Sequence, residues 1–210
     1  MTEQQILSRV DHTILKQVAT FEDVKVLCDQ GMEHKTASVC ISPCFVKLAK
    51  DYVSDRLPIC TVIGFPNGTQ TTAAKVFETT DAIANGADEI DMVINIGMLK
   101  SGNYEYVLDE MKAIKEACGD TLLKVIIETC LLTKDEIIKM CELVTLSGTE
   151  YIKTSTGFST GGATFEDVSL MRVHVGEQVL VKASGGIANM DDARGMIDAG
   201  ASRLGTSRLI

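Results

Sequence analysis

The 210-residue sequence predicts a (β/α)8 barrel, and three observations carry that prediction. Strand-like and helix-like patterns alternate from end to end, as in α/β folds. The apolar, β-branched runs number eight, with helical patterns between them. No linker, low-complexity tract or charge block divides the chain, so residues 1–210 read as one domain. The length sits at the short end for such a barrel, about 200 to more than 400 residues. A doubly wound open sheet is the alternative, but it has fewer strands as a rule, and no GxGxxG follows the first strand.

The elements follow in order. Residues 1–9 suit a short helix ahead of the first strand at 10–15. A helix at 21–30 repeats apolar residues at spacings of three and four, and Gly31 stands where it should stop. A strand at 37–42 and a helix at 43–54 come next, then a strand at 58–63 and a helix at 71–85 ended by Gly86. The strands at 89–94 and 122–127 are the clearest, with a helix at 104–117 between them and Gly119 after it. Helices at 133–147 and 164–173 each begin with a threonine followed three residues later by an acid, much as in a capping box. Strands at 150–153, 178–182 and 201–204 and a helix at 190–199 complete the set, with Gly148 and Gly200 at helix ends. After the eighth strand only a few residues remain, so the final helix is expected to be absent or truncated.

Composition narrows the function. Twenty basic and 29 acidic side chains give a net charge of −9, which argues against general nucleic-acid binding. No apolar run reaches the roughly 18–20 residues of a membrane span, and the polar start lacks the apolar core of a signal peptide. Seven cysteines without a CxxC pair read as reduced thiols of a cytoplasmic protein. The histidines, His12, His34 and His174, are scattered, so no metal site is expected.

Chemistry in a barrel belongs at the carboxyl ends of the strands. Three strands carry a lysine among apolar neighbours: Lys124, Lys153 and Lys182. A buried ammonium is costly unless paired or neutral. Lys124 alone reads more simply as a side chain snorkelling at a strand end. Lys153 and Lys182, each followed by small residues and glycine, are harder to explain as structure. Alternation along the strands can bring Asp91, Lys124, Lys153 and Lys182 into a common interior. Crowded ammonium groups are expected to depress one another's pKa. A free amine can then attack a carbonyl to form a Schiff base. Asp91 would relay protons through water, or else serve only as a salt-bridge partner. Three loops rich in glycine and hydroxyls, 154–157, 184–186 and 205–207, suit a phosphate at the last strands. Residues 159–163 extend the rim, and Arg208 stands close to it in sequence.

With these motifs in order, the chain resembles the deoxyribose-phosphate aldolase family. The likeness spans nearly its whole length: DHT at 11–13, SVCISPCFV at 38–46, TVIGFPNG at 61–68, ADEIDMVINIG at 87–97, LKVIIET at 123–129, YIKTSTGF at 151–158, VKASGGI at 181–187 and LGTS at 204–207. The resemblance implies a class I aldolase that reversibly cleaves 2-deoxy-D-ribose 5-phosphate to D-glyceraldehyde 3-phosphate and acetaldehyde, with no cofactor or metal. It implies that Lys153 forms the Schiff base, Lys182 lowers the pKa of Lys153, and Asp91 relays protons. Asp11, Lys124 and Thr154 would surround the substrate, and Cys40 would line the pocket unless it is only a small core residue. The phosphate is expected at Gly157, Gly185, Gly186, Gly205 and Ser207. A homodimer is a common outcome for such barrels, with a sugar phosphate and an aldehyde as small-molecule partners. The family also implies a closing helix and polar tail that residues 205–210 do not match. A phosphate-binding isomerase or decarboxylase, insensitive to borohydride, and a sugar-phosphate sensor that binds without cleaving are the competing readings.

Overall fold

The computed structural model describes residues 1–210. Eight parallel strands close into a barrel in sequence order. They are β1 (Val10–Ile14), β2 (Ser38–Ile41), β3 (Ile59–Ile63), β4 (Glu89–Val93), β5 (Leu122–Ile126), β6 (Tyr151–Lys153), β7 (Leu180–Ser184) and β8 (Arg203–Thr206). Pairing of Asp11 with Gly205 seals β1 against β8. The helices are α1 (Glu3–Leu7), α2 (Phe21–His34), α3 (Val46–Val53), α4 (Thr72–Ala84), α5 (Ile96–Lys100), α6 (Tyr104–Cys118), α7 (Lys134–Ser147), α8 (Phe165–His174) and α9 (Met190–Asp198). No helix is long and apolar enough to cross a membrane.

Local chemistry explains most boundaries. Thr2, Thr20 and Thr133 each accept a backbone N–H of the first turn, while the side chain three residues on returns the bond. Gly148 ends α7 in the left-handed region, at φ 79°. Gly31, expected to stop a helix, lies inside α2, which runs on to His34 and is capped by Lys35. The glycine serves packing instead: a Cβ there would sit 2.8 Å from Leu57 Cδ2 and 3.0 Å from Val39 Cγ1. The last two strands lie about two residues later than the pattern suggested, so Ser184 and Gly205 belong to β7 and β8. No helix follows β8 within residues 207–210.

The two faces of the barrel wall differ. Outside, 44 buried residues form one continuous apolar core between strands and helices. Inside, only a small apolar cluster of Cys40, Cys60 and Val62 appears. Barrel interiors are commonly filled by branched apolar layers. Here Asp11, Asp91, Lys124 and Lys182 are fully buried in their place.

Candidate active site

Asp91 stands at the centre of the interior. Its Oδ2 accepts from Lys153 Nζ and Lys182 Nζ, each at 2.7 Å. Its Oδ1 accepts from Lys124 Nζ at 2.9 Å and from Cys60 Sγ at 3.3 Å. The alternation of β4, β5, β6 and β7 therefore brings the four expected residues together. Lys182 also donates to Asp11 Oδ2, and Lys124 to Glu89 Oε2. Beneath them Arg203 donates to Asp11 Oδ1 at 2.6 Å and to Glu89 Oε1 at 3.2 Å, with its guanidinium over the Tyr151 ring. Ser38 Oγ completes the shell of Asp11 at 2.8 Å.

Charge balance sets the electrostatics. Four cations (Lys124, Lys153, Lys182, Arg203) face three carboxylates (Asp11, Glu89, Asp91). Burial opposes ionisation of Asp91, but Lys124, Lys153 and Lys182 outweigh it and hold its carboxyl well below the usual range. Burial likewise opposes ionisation of Asp11, and Lys182, Lys124 and Arg203 hold it low. The expected mutual depression of the ammonium groups fails for two of them. Burial acts against charge on Lys182, yet Asp11 and Asp91 raise its pKa. Burial acts against Lys124 too, and Asp91, Cys60, Asp11 and Glu89 raise it further. The sequence reading counted cations but missed two of the groups that answer them, Glu89 and Cys60.

Cys40 is fully buried, and the neighbouring Cys60 thiol is the chief cause that lowers its pKa. Donor atoms of Cys40, Cys60 and Asp91 lie within 4.8 Å of one another, as do those of Asp11, Cys60 and Glu89. A metal ion there would compete with Lys124, whose ammonium already sits 3.5 Å from Cys60 Sγ and 2.9 Å from Asp91.

Above the network a cavity of about 600 Å³ opens at the carboxyl ends of the strands. Lys153 lines it; Lys124 and Lys182 do not. Gly157, Gly185, Gly186, Gly205 and Ser207 line it as well, which brings the three expected loops to one mouth. Gly185 and Gly186 both have φ near +80°, a conformation that favours glycine. Gly205 is required by close approach, since a Cβ there would meet Ser184 Oγ at 2.3 Å. Ser184 lines this cavity as well, and its hydroxyl is buried with no hydrogen-bond partner. Asp11, Cys40 and Lys124 lie below the cavity wall. Thr154 is absent from that wall too. Its hydroxyl donates to Ser184 O at 3.2 Å and accepts from Ser184 N at 3.0 Å, so it straps β6 to β7. Asn95, four residues after Asp91, caps α5, its side chain accepting the Met98 N–H.

Glu89, Arg203, Cys60 and Glu128 escaped the sequence reading as site residues. Glu89 lies two residues before Asp91, so the same alternation pointed to it. Arg203 needed the closure of β8 on β1 to become visible. Glu128 adopts φ 56° and accepts the Thr156 N–H at 3.2 Å, bracing the loop after β6.

A lysine–carboxylate network buried in a (β/α)8 barrel, opening on a glycine-lined mouth, defines an enzyme of the lysine-centred barrel class. A family model described as "DeoC/LacD family aldolase" matches residues 5–207. The chain is 58% identical over 206 residues to the deoxyribose-phosphate aldolase of Clostridioides difficile strain 630, covering 98% of this chain and 94% of that one. It is 58% identical over 210 residues to the same-named enzyme of Streptococcus pyogenes serotype M28, covering 100% and 94%. The fold also matches a tetrameric deoxyribose phosphate aldolase from Aeropyrum pernix with a TM-score of 0.91 at 30% identity, over 98% of this chain and 88% of that one. The chain belongs to the DeoC/LacD aldolase family.

Proposed function

We propose that the protein is a class I aldolase that reversibly cleaves 2-deoxy-D-ribose 5-phosphate to D-glyceraldehyde 3-phosphate and acetaldehyde, with residues 1–210 as one catalytic domain. The observation that carries this reading is the placement of Lys153. It alone among the three interior lysines lines the cavity, and its Nζ lies 2.7 Å from Asp91. It also has the fewest carboxylate partners, one, against two for Lys182 and three for Lys124. Loss of one proton brings the network from four cations against three carboxylates to balance, and Lys153 is the amine that can then meet a substrate.

The neutral amine of Lys153 adds to C1 of the open-chain sugar, and loss of water leaves a protonated imine. The imine nitrogen draws in the electron pair of the C2–C3 bond as that bond breaks. The C3 hydroxyl proton passes through water to Asp91, whose charge is balanced by Lys182. D-Glyceraldehyde 3-phosphate departs. The enamine takes a proton at C2 by the reverse route, and hydrolysis of the imine releases acetaldehyde and regenerates the amine. Lys182, held charged by Asp11 and Asp91, acts as the fixed cation rather than the nucleophile. The backbone N–H groups of Gly185, Gly186 and Gly205, with Gly157 and the Ser207 hydroxyl, suit the 5-phosphate, and Ser184 Oγ adds a free donor. The imine itself serves as the electron sink, so this chemistry calls for no cofactor or metal. All seven cysteines are free thiols, which supports a cytoplasmic setting. A homodimer is the oligomeric part of the proposal, against the tetramer described for the Aeropyrum pernix relative.

The test is direct. Incubation with 2-deoxyribose 5-phosphate should release acetaldehyde, read by coupled reduction to ethanol with loss of NADH absorbance. A folded sample that releases none contradicts the assignment.

A further inference from the structure

Two cavities share the carboxyl-end face of the barrel. The first holds Lys153 and the glycine loops. The second, about 260 Å³, lies beside it against the ends of β2 and β3, among Ser42, Pro43, Val62, Phe65 and Pro66. Leu15 and Phe158 line both cavities, so these two side chains form the wall between them. The chemistry on the two sides of the wall differs. The first offers Lys153, glycine amides and a free hydroxyl. The second has no cation; beside its proline, valine and phenylalanine surfaces stand Gln17, Ser42 and one charged residue, Glu78, whose carboxylate accepts the Gly64 N–H at 2.6 Å. An anion is disfavoured there, whereas a short alkyl chain is suited to the proline, valine and phenylalanine surfaces. Its volume lies just under the roughly 300–1,000 Å³ of pockets for whole small ligands, which fits a chain of a few carbons.

Phe158 is held firmly for a residue that is 49% exposed. Its ring meets Phe65 edge to face, with centroids 5.3 Å apart and planes at 84°. Its N–H donates to Thr156 Oγ1 at 3.0 Å, and Thr156 is anchored in turn by the buried carboxylate of Glu128. Glu128 keeps its left-handed backbone to make that bond. The chain thus directs a braced aromatic ring onto the boundary between a chamber that holds a lysine and one that holds no cation.

We propose that Phe158 is a specificity-determining partition. It confines a substrate bound at Lys153 to the anion-binding chamber and shuts it off from a cation-free subsite whose proline, valine and phenylalanine surfaces would take the alkyl chain of an unphosphorylated aldehyde. The inference rests on the aldolase reading above and deepens it.

The experiment measures kcat/KM for aldol addition of acetaldehyde to pentanal and to D-glyceraldehyde 3-phosphate, in the parent protein, in Phe158→Ala and in Phe158→Ala combined with Ser42→Leu. Ser42 lines only the second cavity, and its side chain makes no capping bond. One or two methylenes in an apolar pocket are worth about 10–200-fold in discrimination. Phe158→Ala should therefore raise the pentanal-to-phosphate ratio about tenfold or more. Ser42→Leu should cancel most of that gain by filling the subsite. The milder Phe158→Leu, suited to a half-exposed site, should give a smaller rise in the same direction. An unchanged ratio in both Phe158 variants overturns the inference, as does a gain that survives Ser42→Leu. Addition to glyceraldehyde 3-phosphate by the parent protein shows that the aldolase reading stands in either case. Its absence would sink both readings.

Discussion

Two regions of the molecule bury charge, and they use it differently. Outside the barrel Lys75 of α4 and Glu110 of α6 are fully buried and meet at 2.9 Å. Lys75 also donates to Val93 O at 2.8 Å, and Glu110 accepts the Asn95 N–H at 3.1 Å. One cation meets one anion, and they tie down the backbone at the end of β4 and just beyond it. Inside the barrel, four cations share three carboxylates, and one lysine reaches a cavity. The pair is closed and balanced, and the network is open and one positive charge in excess. Burial of charge alone therefore does not mark a reactive site. Imbalance combined with an outlet is what sets the proposed site apart.

The sharpest way to break this contrast is Asp91→Asn. Without the shared carboxylate, Lys124, Lys153 and Lys182 repel one another and no relay remains. Turnover should fall by about 10²–10⁴-fold, the usual scale of general acid–base assistance, as measured by steady-state kinetics on protein that melts cooperatively.

Lys75→Met should show the opposite profile. Breaking a buried pair on one side costs about 3–5 kcal/mol of stability, while kcat per folded molecule stays within about threefold. Urea unfolding alongside kinetics checks both. The loss should also depend on pH. Burial already pushes the Glu110 carboxyl up, with Lys75 opposing that shift. An acid whose folded pKa lies above its unfolded value of about 4.3 destabilises the fold when ionised. The penalty should thus be full at neutral pH and shrink as pH falls toward that value. The double variant Lys75→Met/Glu110→Leu should recover most of the stability, since well-packed apolar replacements of buried pairs are often neutral or better.

The smallest effect expected is at the mouth. Gly205→Ala would press a methyl against Ser184 Oγ and displace that donor. KM for the phosphorylated substrate should rise about tenfold, the scale of one lost hydrogen bond to a charged group, with a smaller change in kcat. An equal rise for unphosphorylated 2-deoxyribose would show that the glycine serves the barrel rather than the anion.

Much of this contrast was legible before the structure. Period-2 alternation in β4, β5, β6 and β7 was enough to gather Asp91, Lys124, Lys153 and Lys182. Small residues after the last three strands were enough to suggest the anion mouth. Lys75 was not legible, because a lysine on a surface helix reads as solvated. Its burial depends on the close packing of α4 against Gly64, where a Cβ would lie 2.7 Å from Lys75 Cε. Arg203 was hidden because its partners, Asp11 and Glu89, are more than 110 residues away along the chain. The five-residue α5 is too short to show a helical period. The division of roles between Lys153 and Lys182 was also beyond the residue pattern, since both precede small residues. The cavity distinguishes their positions, since Lys153 lines it and Lys182 does not.

In the proposed mechanism Lys153, and not its charged neighbours, forms the covalent bond. The protein should be incubated with acetaldehyde and sodium borohydride, digested, and mapped by mass spectrometry. A single ethyl adduct is expected, on Lys153. An adduct on Lys182 or Lys124, or none on a folded sample, would contradict it.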